Sequence, residues 1–121
     1  MEIEKLIEEK NLKLTSARKE LLEILFLATK PLSYEDIKSK ISMDKATFYR
    51  NVLKFEEESI ISSFESNDKK RYYEIQNSPH SHFICNVCNC VECLDGVEPI
   101  KLEGYKILDM IFKGICKKCN L

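Results

Sequence analysis

Six cysteines, two histidines and Glu74 are the residues whose types and spacing could do chemistry in this 121-residue chain. All six cysteines lie between Cys85 and Cys119, and the first 84 residues hold none. They fall into three Cys-x-x-Cys pairs: Cys85/Cys88, Cys90/Cys93 and Cys116/Cys119. Two thiolates on a tight turn can span one edge of a zinc tetrahedron, and two such pairs complete a four-cysteine site with Zn–S of about 2.3 Å. Cys85, Cys88, Cys116 and Cys119, with 27 residues between the inner cysteines, are read as that structural zinc site. Redox-active dithiols are the competing reading. Cys90 and Cys93 are set apart, because positions three apart on a regular strand face opposite sides. Cys90 is read as a small buried hydrophobe. His80 and His82, the only histidines, share one face of an extended segment just before the first cysteine pair. With Glu74 and Cys93 they offer a mixed N/O/S metal site. A solvated link with no ligand role is the alternative.

These residues need elements to position them, and the chain has room for one domain or two very small ones. It is 44% apolar and 32% charged, with a net charge of −1. Three Gly and three Pro argue against collagen-like and low-complexity chains. No run of about 18 apolar residues exists, so no membrane partner is expected. The acidic amphipathic start, MEIEKLIEEK, lacks the basic-then-apolar layout of a secretion signal, so a cytoplasmic location is expected. In a reducing compartment clustered cysteines bind metal or act as redox thiols. Two small halves would have marginal cores, and metal is a fitting staple.

The apolar period is helical at first. Ile3, Leu6 and Ile7 mark a helix over 2–10, with Asn11 as its stop. Thr15 is an N-cap for a second helix, with Leu21, Leu22, Leu25 and Phe26 as its buried stripe. Ser33 and Asp36 form a capping box ahead of a short helix from Tyr34 to Lys40. Asp44 caps a helix from Lys45 to Glu57 that shows Phe48, Val52, Leu53 and Phe55. The period then changes to two. Residues 60–65 and 71–75 read as strands around the turn Asn67-Asp68-Lys69. This is the order of a winged helix-turn-helix, whose helix before the hairpin enters the major groove. Between Lys10 and Phe55 ten Lys/Arg stand against five Asp/Glu, a locally positive stretch suited to phosphates. Residues 77–80 are taken as a hinge between a domain over 1–76 and one over 81–121. In the second, strands are expected at 82–85, 90–94 and 105–112, with a one-turn helical or irregular link at 96–104. The fold class is α+β: a winged helix followed by a small α/β zinc-containing domain.

In order and spacing these pieces resemble the ferric uptake regulator (Fur) family of metal-sensing repressors. The carriers are Leu12-Lys-Leu-Thr-Ser-Ala-Arg18, Leu32-Ser-Tyr-Glu-Asp-Ile37, Ala46-Thr-Phe-Tyr-Arg50, Arg71-Tyr-Tyr-Glu74, His80-Ser-His-Phe-Ile-Cys85-Asn-Val-Cys88 and the terminal Gly-Ile-Cys-Lys-Lys-Cys. The resemblance covers residues 11 to 119. It implies a homodimer that binds A/T-rich double-stranded DNA when a sensing metal is present, with a structural Zn2+ and a second divalent metal, Fe2+ or Zn2+. Tyr49 and Arg50 fall where the family contacts DNA; Lys45, Thr47 and Asn51 lie on adjacent turns. Lys13, Thr15 and Arg18 fall at the start of the second helix, where Lys13 and Arg18 are read as backbone clamps. Core packing is the alternative for Tyr49. The family's sensing ligands match Glu74, His80 and His82. Its acidic fourth ligand falls on Cys93, and a fifth, a histidine, falls on Pro31. A thiolate there is softer than a carboxylate and favours zinc, cobalt or copper(I) over manganese. A histidine of a further family site falls on Met110. The dimerisation region is shortened, its helix reduced to roughly 96–103.

Three functions follow as candidates: a metal-responsive repressor, a metal-independent or thiol-redox-controlled DNA-binding factor with structural zinc only, and an enzyme. The enzyme is disfavoured. No cysteine pair sits in a βαβ pattern, no nucleophile has an evident base, and no phosphate loop is present.

Overall fold

The computed structural model describes the chain except residues 1, 76–80, 95–99 and 108. Helix α1 runs Glu2–Glu9 and α2 Ser16–Leu27. Asn11 ends α1 in the left-handed region at φ 56°, where a short polar side chain is tolerated. The Leu12 amide donates back to the Ile7 carbonyl at 3.1 Å, closing the helix end. Thr15 Oγ1 accepts the Arg18 amide at 3.2 Å, the cap expected for α2. Strand β1 is only Leu32–Ser33, and α3 is Tyr34–Ile37, continued by a 3-10 turn, Lys38–Lys40. Both halves of the Ser33/Asp36 capping box are formed. Helix α4 spans Lys45–Glu57, capped by Asp44.

Strands β2 (Ile61–Glu65) and β3 (Arg71–Ile75) form the hairpin. The expected two-stranded wing has a third member, since β1 pairs with β3, Leu32 opposite Tyr73. Two residues are too few to show a period, which is why the sequence reading missed β1. The first core is built from α1, α2, α3, α4 and the hairpin: Leu21, Leu22, Ile37, Phe48, Phe55, Ile60 and Ile61 are its most deeply buried members. Leu21, Leu22 and Leu25 are buried as expected, whereas Phe26 is half-buried. On α4, Phe48, Val52 and Phe55 share the inward stripe, and Leu53 points out.

A second three-stranded sheet follows, ordered β5-β4-β6, from β4 (Ser81–Cys85), β5 (Val91–Leu94) and β6 (Met110–Gly114). Strand β5 runs antiparallel to β4 and β6 parallel to it. The strand expected at 105–112 therefore begins later, at Met110, the partner of Ser81 at the start of β4. Before it, Tyr105 is largely exposed, and its amide donates to the Leu102 carbonyl across a turn with Gly104 at φ 83°. Among the described residues after residue 80 the elements are strands, and the chain as a whole is α+β. The hinge placed at 77–80 and part of the 96–104 link lie outside the described residues. The two sheets meet in a small cluster, in which Phe64 and Tyr72 of the hairpin pack with Ile84 and Val91 of the second sheet.

Candidate metal centres and nucleic-acid interface

The Cys85–Cys90 turn is a tight hairpin. The Cys85 amide donates to the Cys90 carbonyl at 3.1 Å, and Asn89 takes φ 60°. Two amides of the turn point at the Cys85 sulfur, Val87 at 3.3 Å and Cys88 at 3.4 Å, and the Cys116 amide joins them from beyond β6 at 3.4 Å. Hydrogen bonds from backbone amides stabilise the thiolate. The Cys88 and Cys116 amides lead in holding the Cys85 thiol down at about 6. Cys116 is lowered as well, led by the Cys119 amide. Cys119 instead retains its proton, hydrogen-bonded with Cys116 and pushed up to about 12.

The ligand atoms of Cys85, Cys88, Cys116 and Cys119 lie within 4.8 Å of one another. Cys88 and Cys116 sulfurs are 3.8 Å apart, which matches the edge of about 3.8 Å for a tetrahedron with Zn–S of about 2.3 Å. The cluster is thus suited to structural zinc. Cys90 differs from its reading as a buried hydrophobe: it is half-buried, and its thiol is raised first by hydrogen bonding with Cys88 and then by burial.

A second group of ligand atoms joins the two sheets: Glu74 on β3, His82 on β4 and Cys93 on β5. His82 and Cys93 are register partners across β4 and β5. His82 is fully buried under Phe64, ring centroids 4.8 Å apart, and its Nε2 lies 2.8 Å from Glu74 Oε1. Cys93 Sγ lies 3.9 Å from Glu74 Oε2. One nitrogen, one thiol and a carboxylate converging in this way fit a divalent metal. His80 falls outside the described residues. A cleft of about 150 Å3 reaches Glu74 and Cys93 from the end of α2, past Leu25, Phe26 and Lys30. Sequence reasoning gave no role to Phe64 or Lys30; neither carries a metal-ligand signal, and only the fold brings them here.

The expected DNA-binding residues surround α4. Arg50 is exposed, and its Nη2 donates to Thr47 Oγ1 at 3.1 Å. Tyr49 is 43% exposed while its ring packs near-perpendicular to that of Phe48, centroids 5.2 Å apart, so it is both packed and accessible. Lys45 is exposed and stands over the rings of Tyr34 and Tyr49. Arg18 donates from Nε to Asn51 Oδ1 at 3.2 Å and from Nη1 to the Lys13 carbonyl at 2.9 Å. Asn51 is turned inward, 8% exposed, with its amide 3.9 Å from Met43 Sδ. Thr15, Arg18, Thr47, Arg50 and Asn51 line one cleft beside α4. Lys13 is exposed beside α2.

Residues 9–110 match the Ferric uptake regulator family. The ferric uptake regulation protein of Staphylococcus epidermidis is 30% identical, with 96% of this chain and 92% of the relative covered. That of Campylobacter jejuni is 28% identical, over 96% of this chain and 85% of the relative. Among solved structures, the Helicobacter pylori ferric uptake regulator, described with three functional metal binding sites, superposes with a TM-score of 0.75 at 25% identity, covering 99% of this chain and 90% of its own. The iron-bound Francisella tularensis regulator gives 0.68 at 26% identity, covering 91% and 96%. With the match running from the end of α1 to the first residue of β6, the chain belongs to the ferric uptake regulator family, whose members are metal-responsive transcription regulators that bind DNA as dimers.

Proposed function

We propose that this chain is a homodimeric repressor whose DNA affinity is set by a second metal held at Glu74, His82 and Cys93, with His80 as a further ligand. One observation carries the reading: ligand atoms from the winged sheet and from the second sheet converge on a single point. A metal there supplies coordination bonds that tie β3 to β4 and β5, and so biases the angle between the two halves. His82 Nε2 and Glu74 Oε1 lie 2.8 Å apart, close enough for one ion to bind both. Cys93 in the set favours a thiophilic ion such as zinc over manganese. The four cysteines Cys85, Cys88, Cys116 and Cys119 hold a separate, structural zinc. In a dimer the two α4 helices then meet successive major grooves, about 34–36 Å apart. Arg50 and Tyr49 read bases or phosphates, and Lys13, Thr15, Arg18, Lys45 and Thr47 take the backbone. Asn51 acts through Arg18, whose guanidinium it orients.

The test is metal stoichiometry together with DNA affinity, measured at one fixed salt on a duplex from the chain's own promoter region. Two metals per chain are expected, one exchangeable, with affinity rising when it binds. In His82→Gln and Cys93→Ser the exchangeable metal and the metal response should be lost while one tight zinc remains. One zinc per chain, with metal-independent DNA binding, would instead establish the constitutive or thiol-controlled factor.

A further inference from the structure

An ion that exchanges with solvent must have a way to its ligands. Of the three that converge between the sheets, His82 is fully buried, Glu74 is 8% exposed and Cys93 is half-buried. The cleft of about 150 Å3 at the end of α2 has Glu74 and Cys93 in its wall, whereas His82 forms no part of it. Cys93 is therefore the most accessible of the three. Its Sγ lies 3.9 Å from Glu74 Oε2, so the second ligand stands beside the first.

The rest of the wall decides what the cleft admits. Leu25 and Phe26 come from the last turn of α2, Ala28 is its C-cap, and Ile75 belongs to β3. The carbonyl end of a helix carries partial negative charge and favours a cation. No basic residue lies in the last turn of α2 to offset it. Lys30, exposed and just past the cap, acts in the opposite sense, and it is the only cation in this wall. An ammonium has no lone pair to offer a metal, so Lys30 is not a ligand. Its charge repels a divalent ion, and the apolar walls beside it concentrate the field.

We propose that this cleft is the route by which the exchangeable ion reaches its site, that Cys93 is the ligand it meets first, and that the Lys30 charge slows its entry. The inference rests on the metal-site reading above and adds a rate and a threshold to it. The same repulsion acts on the bound ion, so the site fills at a higher metal concentration than its ligands alone would require.

The test uses the full-length protein with zinc in the four-cysteine site and Co2+ as the probe. Stopped-flow absorbance follows the thiolate-to-cobalt charge-transfer band, and a chelator chase gives the release rate. In the wild type the band should appear in the phase whose rate is proportional to Co2+ concentration. Lys30→Gln should speed uptake at low salt by about tenfold, the lower end of electrostatic rate effects, and Lys30→Glu by more. Lys30→Arg should match the wild type. The differences should fade toward 1 M salt, where the screening length is about 3 Å. Ala28→Phe narrows the cleft without touching a ligand. It should slow uptake and release by the same factor and leave Co2+ affinity unchanged, with its fold checked by helical circular dichroism. Wild-type rates in Lys30→Gln and Lys30→Glu would overturn the role of the charge. Unchanged kinetics in Ala28→Phe would overturn the route, and a band that lags the concentration-dependent phase would overturn the order of ligands. In each of these cases the metal-site reading stands. If the zinc-loaded wild type takes up no Co2+, that reading falls and the inference with it.

Discussion

Arg50 and Arg18 show how a side chain's bonds decide what it is free to do. Arg50 holds one light contact, to Thr47, and otherwise faces solvent. Arg18 spends donors on Asn51 and on the Lys13 carbonyl. Arg50→Ala should therefore weaken specific DNA binding by about 1–3 kcal/mol and relax sequence preference, measured by anisotropy against matched and scrambled duplexes. An equal loss on both duplexes would make Arg50 a phosphate contact only. The cysteines differ in a similar way. The Cys85 thiol is held at about 6, below its ordinary value of 9.0, so it is already a thiolate at neutral pH. Cys119, pushed up to about 12, is protonated there. Zinc requires thiolates and so displaces the protons that remain. Zinc binding to the stripped protein at neutral pH should thus release fewer than four protons, measured by calorimetry in buffers of different ionisation enthalpy. The deficit should shrink as pH falls below about 6, where Cys85 regains its proton. Release of four protons at neutral pH would contradict the amide-stabilised thiolate.

The helices that carry the side chains proposed to face DNA depend on their first turns. Ser33 joins three features: it ends β1, caps α3 and is almost wholly buried. Its hydroxyl accepts the Asp36 amide at 3.3 Å and donates to Asp36 Oδ2 at 3.0 Å. Ser33→Ala leaves the Asp36 amide without its partner. The expected cost is about 0.5–2 kcal/mol in urea unfolding, with the β1–β3 pairing loosened because Ser33 faces Tyr72. No change in the unfolding midpoint would mean that water replaces the hydroxyl. The Asp44 cap of α4 has a pH signature. Hydrogen bonds from Thr47 lower its carboxyl below the usual 3.8, so the cap is intact above that value and is lost as pH falls below it.

The two halves are held by different means. The first rests on a broad apolar core, with Leu21, Leu22, Phe48 and Phe55 fully buried. Around the second sheet, Ile84 and Val91 are the buried aliphatic residues among those described, beside Cys85 and Cys116. Such a small core cannot offset the entropy of ordering its chain, whereas zinc binding contributes about 10–16 kcal/mol in small metal domains. Stripping zinc with a strong chelator should unfold the second sheet and leave the helical half folded. Helical circular dichroism should persist while amide exchange in β4, β5 and β6 becomes fast. Concerted loss of both would show that the Phe64–Ile84 contact welds the halves into one cooperative unit.

Much of this was legible in the residues. Thr15, Ser33 and Asp44 announced the helix starts, since a cap bonds to an amide three positions on. The Cys-x-x-Cys pairs announced a tetrahedral thiolate site, since ligand type and turn length are local properties. Long-range pairing was not legible. Strand β6 has no alternating pattern and exists because Met110 to Gly114 lie parallel to β4. The winged sheet gained β1 for the same reason. The inward turn of Asn51 could have been read, because it lies on the flank of the stripe made by Phe48, Val52 and Phe55.

The amino-acid sequence by itself determined the helices, their caps and the chemical identity of the ligands, because each depends on residues within one turn of one another. Only the tertiary structure decided which ligands meet. Sheet register places His82 opposite Cys93, and the packing of Phe64 on Ile84 and His82 brings Glu74 of the wing to them. The same packing of α4 against the wing gathers Lys45 and the wing-tip cations into one cleft. These meetings depend on contacts between residues distant in sequence, which no local pattern encodes.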